Sequence, residues 1–244
     1  MDKKERIEEE FELESVEQAV KEYSYITYAI AVTYNLIADE LSRLCDFKQG
    51  LVTDIGTGLG DLAIEIGKRY PRLDIIGLDI SQDVLDKAVS KAESENLQNV
   101  SFKFGDVHNL PFEDNSIDLV VSHGSIHHWK DIQKAFSEIY RILKPNALTY
   151  LTDLRRDAPG NIVKEVASNL PSAQAKGFIN SIRASYIPTE LRSIFANLGI
   201  KNFSITDQKF SRQTISKNIN RLRKTPMRNV DYAKLSQVII IRKE

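Results

Sequence analysis

Residues 52–60 read V-T-D-I-G-T-G-L-G: an apolar run leads directly into Gly56, Gly58 and Gly60. Glycines in this pattern let a strand turn tightly into a helix, and let a ligand approach the backbone without meeting a Cβ. The helix N-terminus behind them favours a carboxylate or a phosphate. A glycine-rich turn that holds nothing is satisfied by the same residues, so the partners decide. Asp79 stands 23 residues after Gly56 at the end of a second apolar run, where an acid can accept from both hydroxyls of a ribose. Asp106, in F-G-D-V after a third run, can accept from the exocyclic amine of adenine, with Ile80 and Val107 placed to sandwich the ring. Either acid alone is more often a helix cap or loop residue. All three features on successive strand ends of one sheet edge are much harder to obtain by chance.

A dinucleotide fits poorly. Its fingerprint is G-x-G-x-x-G, whereas the position of the last glycine is here Asp61, an acid where a pyrophosphate would lie. A ligand with an ammonium and a carboxylate but no phosphate suits the segment better, and Asp54 can meet the ammonium. Beyond this cluster, three of the four histidines fall in S-H-G-S-I-H-H-W at 122–129. A histidine there could orient or deprotonate a nucleophile near neutral pH; the alternative is a helix start that packs and hydrogen-bonds. His123 and His127 have the i,i+4 spacing of a helical metal pair. Only Asp131 is near enough to add a ligand, so no metal is expected. T-D-L-R-R at 152–156 carries an acid and two arginines that could grip an anion or form a salt-bridged loop. Residues 209–228 hold seven bases and no acid, enough to track phosphates or simply a solvated face.

The elements that must position these groups alternate. Strands are expected at Leu51–Ile55, Asp74–Leu78, Val100–Phe104, Ile117–Val121 and Leu148–Asp153. Helices are expected at Asp61–Tyr70, after Ser81 as N-cap, and at Asp131–Leu143 before Pro145. This β-α-β-α order means an α/β fold, a parallel sheet with helices on both faces. Residues 1–45 read as an N-terminal helical cap and 157–186 as a helical cap insert in a domain spanning 46–244. Pro188–Leu198 is another helix, and Phe203–Thr206 and Ser236–Arg242 are two closing strands. The 244 residues are 42% hydrophobic and 27% charged, ordinary globular proportions. A formal net charge of -1 excludes a globally basic nucleic-acid binder. It hides nine acids against four bases in residues 1–22 and eleven bases against three acids in residues 201–244. The single cysteine, Cys45, excludes a disulfide framework or multi-cysteine zinc site and suits a reducing cytoplasm. The sequence holds no apolar run of the ~18 residues a membrane span needs, and the charged N-terminus does not read as a signal peptide.

The set D-x-G-x-G-x-G at 54–60, Asp79, G-D-V at 105–107, the F-E-D-N-S-I-D-L-V-V-S segment at 112–122 and R-I-L-K-P at 141–145 resembles the class I S-adenosylmethionine-dependent methyltransferases. The nearest subgroup is similar to the ubiquinone/menaquinone biosynthesis methyltransferases. The resemblance spans about residues 45–155, with a weaker continuation at 188–200. It implies a Rossmann-like seven-stranded, mostly parallel sheet whose last strand is antiparallel. It implies S-adenosyl-L-methionine as cofactor, S-adenosyl-L-homocysteine as product, and Gly56, Thr57, Gly58 and Gly60 in the cofactor site. Ser122 and His123 resemble positions lining the sulfonium, and Tyr25 is the choice among Tyr23, Tyr25, Tyr28 and Tyr34 for a residue closing over the cofactor. His123, then His127, are the candidate catalytic residues. Asn146 departs from the family's usual glycine, but Asn tolerates the left-handed backbone. The resemblance is nearly silent about the acceptor. S-H-G-S replaces the tetrad expected for attack by base or amide nitrogen, which favours a small-molecule acceptor, anionic if the arginines grip it. The alternatives are an RNA methyltransferase using 209–228, a non-catalytic cofactor-binding protein, and a nicotinamide dehydrogenase. The sequence leaves the oligomeric state open.

Overall fold

The computed structural model describes residues 5–8, 32–44, 49–211, 213–214 and 232–244. Among them seven strands form one sheet: β1 (Gly50–Ile55), β2 (Leu73–Asp79), β3 (Val100–Phe104), β4 (Ile117–His123), β5 (Leu143–Leu154), β6 (Phe203–Asp207) and β7 (Ser236–Ile241). Their order is β3-β2-β1-β4-β5-β7-β6. Every pair from β3 to β5 is parallel, and β7 runs antiparallel to both β5 and β6. The seven-stranded fold with an antiparallel last strand is therefore present as the resemblance implied. The strand order reverses between β1 and β4, and at such a switch point the loops leaving the two carboxyl ends diverge and open a crevice.

The helices are α1 (described over 32–44), α2 (Asp61–Arg69), α3 (Gln82–Ser94), α4 (Ile132–Ile142), α5 (Gly160–Ser168), α6 (Ser172–Ala184) and α7 (Pro188–Asn197). Side chains alternate across a strand, and the central strands use both faces. Ile117 and Val120 of β4 join one core with Ala135, Phe136 and Ile139 of α4 and Phe195 of α7. Leu119 and Val121 join the other with Leu62, Ala63 and Ile66 of α2 and Ile37, Ala38 and Leu41 of α1. α1, which falls in the segment expected as a cap, packs into this second core. The segment at 157–186 forms α5 and α6, which bury a cluster of their own around Ile162, Val166 and Ile182.

Two local expectations change. Ser81 stands at the N-cap of α3 but its side chain makes no capping bond. β5 starts at Leu143, directly where α4 ends, and passes through Pro145 and a left-handed Asn146 (φ 66°) before pairing regularly from Leu148. No helix among the described residues is long and apolar enough to cross a membrane.

Candidate functional site

β1 delivers Asp54 buried beneath the glycine turn. The Thr57 hydroxyl donates to Asp54 Oδ2 at 2.7 Å, and the Thr57 N–H donates to the Leu78 carbonyl at 2.9 Å, tying the turn to β2. Burial pushes the Asp54 carboxyl up to about 7 against the opposing pull of the Thr57 hydrogen bond. Gly56, Gly58 and Gly60 all have positive φ, at 68°, 54° and 76°. Their reasons differ. A Cβ on Gly56 would lie 2.5 Å from the Ser125 Cβ, and one on Gly60 2.5 Å from the Phe102 ring. A Cβ on Gly58 would meet nothing within 4 Å. Packing therefore requires the outer two glycines, whereas Gly58 faces open space. Gly124 at the end of β4 repeats the pattern, with φ 68° and nothing within 4 Å. Two bare left-handed glycines flank the switch point between β1 and β4.

Asp79 ends β2 with both oxygens engaged: Oδ2 accepts the Gly58 N–H at 2.9 Å and Oδ1 the Ser81 N–H at 3.1 Å. Burial raises its pKa although both N–H bonds favour the anion. Each carboxylate oxygen has a second lone pair, so the group can hold the turn and still accept from a ligand. Next along the edge, Asp106 follows β3. Its Oδ1 takes the His108 N–H at 2.9 Å and the His108 ring Nδ1 at 2.6 Å. These bonds hold its carboxyl below the usual range, outweighing a desolvation that acts the other way. Ile80 is 68% exposed beside this edge, while Val107 is buried in the core beneath it.

On the other side of the switch point, β4 and the turn after it carry the histidines, and β5 carries their partners Thr152 and Asp153. The His123 ring Nδ1 lies 2.6 Å from the Thr152 hydroxyl, and its ring meets Tyr34 of α1 edge-on at 5.3 Å. His127 sits in a 3-10 turn (Ile126–His128) and is buried. Its Nδ1 lies 2.7 Å from Asp153 Oδ1, and its backbone N–H donates to Asp153 Oδ2 at 2.8 Å. Burial works to raise the Asp153 pKa, but His127 outweighs it and the carboxyl stays below its ordinary value. From the N-terminus, Arg6 reaches this turn: Nε donates to the Ala184 carbonyl at 2.7 Å, Nη2 to the His127 carbonyl at 3.2 Å, and the guanidinium lies 4.4 Å from the Tyr186 ring centre.

Residues 47–214 match the family described as a methyltransferase domain. The chain belongs to this family. Curated relatives of the methyltransferase domain include a demethylmenaquinone methyltransferase from Deinococcus radiodurans, 34% identical over 109 residues, 45% of each chain. Another is a ubiquinone/menaquinone biosynthesis C-methyltransferase from Rickettsia felis, 37% identical over 117 residues, 46% of this chain and 47% of the relative. The chain thus spans about half the length of these curated relatives. A crystal structure from Methanococcus maripaludis, provisionally assigned as an S-adenosyl-L-methionine-dependent methyltransferase, superposes with TM-score 0.66 at 27% identity, covering 93% of this chain and 91% of that one.

The methyltransferase domain gathers Asp54, the glycine turn, Asp79, Ile80, Asp106, His123 and His127 on the carboxyl edge of one sheet. Other expected placements change. The Ser122 hydroxyl is buried, donating to the Ile55 carbonyl at 2.7 Å with Ser125 at 2.8 Å, so it staples β4 to β1. Burial lowers His123 to about 4 and His128 to about 3, so neither titrates near neutral pH as the sequence reading had it. His123 ends a strand and His127 lies in a 3-10 turn, so their four-residue spacing is not helical. Among the described residues no cluster of three His, Cys, Asp or Glu could hold a metal. Arg155 pairs with Asp157 and Asp207, and Arg156 with Glu190 and the Ser185 carbonyl, so the pair forms a salt-bridged loop. Asp61 is paired with Lys91, which offsets the charge that was expected to repel a pyrophosphate. Tyr25 and most of the basic 209–228 run lie outside the described residues. Sequence reasoning missed the Asp153–His127 pair, His108 and Arg6, and named Tyr34 only as a lesser alternative to Tyr25. Asp153 and His108 could have been found from their offsets, beside a strand end and two residues past Asp106. Nothing local marked Arg6.

Proposed function

We propose that this chain is an S-adenosyl-L-methionine-dependent methyltransferase acting on a small-molecule acceptor by in-line displacement, with S-adenosyl-L-homocysteine as product. The observation that carries this reading is the open space over the Gly58 backbone beside the Asp79 carboxylate, at the point where the strand order reverses. The residues present fit the cofactor: a cradle that a Cβ would fill, an acid poised for ribose hydroxyls, and a buried acid beneath the turn. In this reading Asp79 accepts from the ribose, Asp106 takes the adenine amine with Ile80 and Val107 about the ring, and Asp54 answers the ammonium. Thr57 and Gly56, Gly58 and Gly60 shape the turn. When bound, the sulfonium supplies an electrophilic methyl group. The chain's own task is to hold an acceptor in line and exclude water, which in favourable intramolecular cases accounts for ~7–11 kcal/mol of acceleration.

His123 and His127 are the residues for the acceptor side. His123 is held neutral by burial, which suits orienting an acceptor better than taking its proton. His127 is oriented by Asp153, the arrangement a general base needs. Ser122 supports the wall between β1 and β4. The described parts of the N-terminal segment, residues 5–8 and 32–44, border the site, a role supported by Tyr34 against His123 and Arg6 against the His127 turn. The arginine pairings give no support to an anionic acceptor, and no described residue of the basic run argues for RNA. The single cysteine suits a cytoplasmic setting. Isothermal calorimetry with S-adenosyl-L-homocysteine and with NAD tests the cofactor: micromolar or tighter binding of the first and none of the second is expected. NAD binding alone would overturn the proposal.

A further inference from the structure

A half-exposed carboxylate on a loop can rotate, so Asp106 reads a base only if something fixes it; its side chain is 54% exposed. His108 does so from both ring nitrogens. Nδ1 lies 2.6 Å from Asp106 Oδ1, while Nε2 accepts the Asp131 N–H at 3.1 Å. A nitrogen that accepts a backbone N–H carries no proton, so the proton sits on Nδ1 and is donated to Asp106. Both ends are anchored. Asp131 is the N-cap of α4, its Oδ1 accepting the Lys134 N–H at 3.0 Å. The Asp106 carbonyl accepts the Asn109 N–H at 2.9 Å. The imidazole therefore spans from the loop after β3 to the start of α4, and Oδ1 takes two donors from one residue. Among the described residues Oδ2 has no hydrogen-bond partner.

We infer that His108 is a positioning residue: it locks the Asp106 carboxylate with Oδ2 presented to the base, and so sets the preference of the nucleoside site for a 6-amino over a 6-oxo purine. The inference rests on the proposed cofactor reading. A 6-amino group donates to Oδ2, whereas a 6-oxo group sets one acceptor against another. Asparagine at 106 sharpens the consequence. Its amide oxygen must take the two His108 donors, which turns the NH2 to the Oδ2 position, where it donates to a 6-oxo group.

The test is calorimetry with S-adenosyl-L-homocysteine and S-inosyl-L-homocysteine on four proteins, each with a thermal melt. The wild type is expected to favour the adenosyl ligand about tenfold or more, and His108→Ala to shrink that ratio about threefold to tenfold. Asp106→Asn is expected to invert the ratio. In the double variant only the backbone N–H of residue 108 still draws the amide oxygen, so the inversion is expected to shrink about threefold to tenfold. An unchanged ratio in His108→Ala, or an inversion as large in the double variant as in Asp106→Asn, overturns the lock. A His108→Ala protein that melts lower yet keeps the wild-type ratio assigns His108 to the loop alone. A wild type that binds both ligands equally shows that Asp106 does not read the base. One that binds neither refutes the cofactor reading itself.

Discussion

Replacing Asp79 by alanine removes two functions of one carboxylate. The group accepts the Gly58 N–H at 2.9 Å and the Ser81 N–H at 3.1 Å, so it ties the glycine turn and the start of α3 to β2 before any ligand arrives. Hydrogen bonds to a charged group contribute about 1.5–3 kcal/mol each. A nucleoside giving two ribose hydroxyls to this carboxylate therefore loses about 3 kcal/mol or more, roughly a 150-fold rise in Kd. The two N–H groups left behind can recruit water at a partly open edge. The stability loss is correspondingly smaller, about 1–2 kcal/mol, or a fall in Tm of about 2–8 °C for a chain of this size. Asp79→Asn retains one acceptor oxygen but turns an NH2 toward one of the N–H donors, and should fall between wild type and alanine on both axes. Calorimetry with S-adenosyl-L-homocysteine and a melt on the same samples separate the two functions. An alanine variant that binds as tightly as wild type would refute the ribose assignment. A lower Tm together with wild-type binding by Asp79→Asn would reduce Asp79 to a brace for the turn.

Three further outcomes follow from the same edge. The Asp54 carboxyl is raised from 3.8 to about 7, so the folded state holds its proton more tightly than the unfolded chain. Its stabilising contribution is full below pH 4 and is lost as pH rises through about 7. Asp54→Asn should thus gain Tm on wild type progressively between pH 4 and 7 and level off above; a difference constant with pH in scanning calorimetry would sink the argument. Gly58→Ala should cost only about 1 kcal/mol of backbone strain yet abolish tight nucleoside binding. Gly60→Ala should instead destabilise by about 2–4 kcal/mol, because its Cβ meets the Phe102 ring. Equal melts for the two variants would contradict that division. Asp153→Ala strands three N–H donors, those of His127, the His127 ring and Leu154, and should lose about 3–5 kcal/mol in a denaturant titration; a loss under about 1 kcal/mol would show the pair to be idle.

The edge itself was legible in the chain because parallel α/β units impose one arrangement. Each strand must be apolar to be buried on both faces, and each ends where its loop can hold a polar group. Gly56 to Gly60, Asp79 and Asp106 could therefore be placed on one crevice from spacing alone, and five alternating strands fixed the helices on both faces. Left-handed Asn146 was anticipated through the resemblance, which puts a glycine at that position, since Asn accepts the same backbone.

Tertiary structure alone decided what each of those groups is joined to. Sequence periodicity says which way a side chain points, not which residue from a distant segment it meets. Asp153 is 26 positions from His127, and Arg6 is 121 positions from the same turn. Burial also reversed an expectation drawn from residue type: a histidine's ordinary pKa lies near neutrality, but enclosure beneath Tyr34 and Thr152 takes His123 to about 4. Likewise Gly58 and Gly60 are identical in the chain. They differ only because Phe102 of β3 fills the space beside one and leaves the other bare. Covalent order fixed the shelf on which a ligand can lie. Contacts between remote segments settled which groups on that shelf are ionised, oriented and free to touch it.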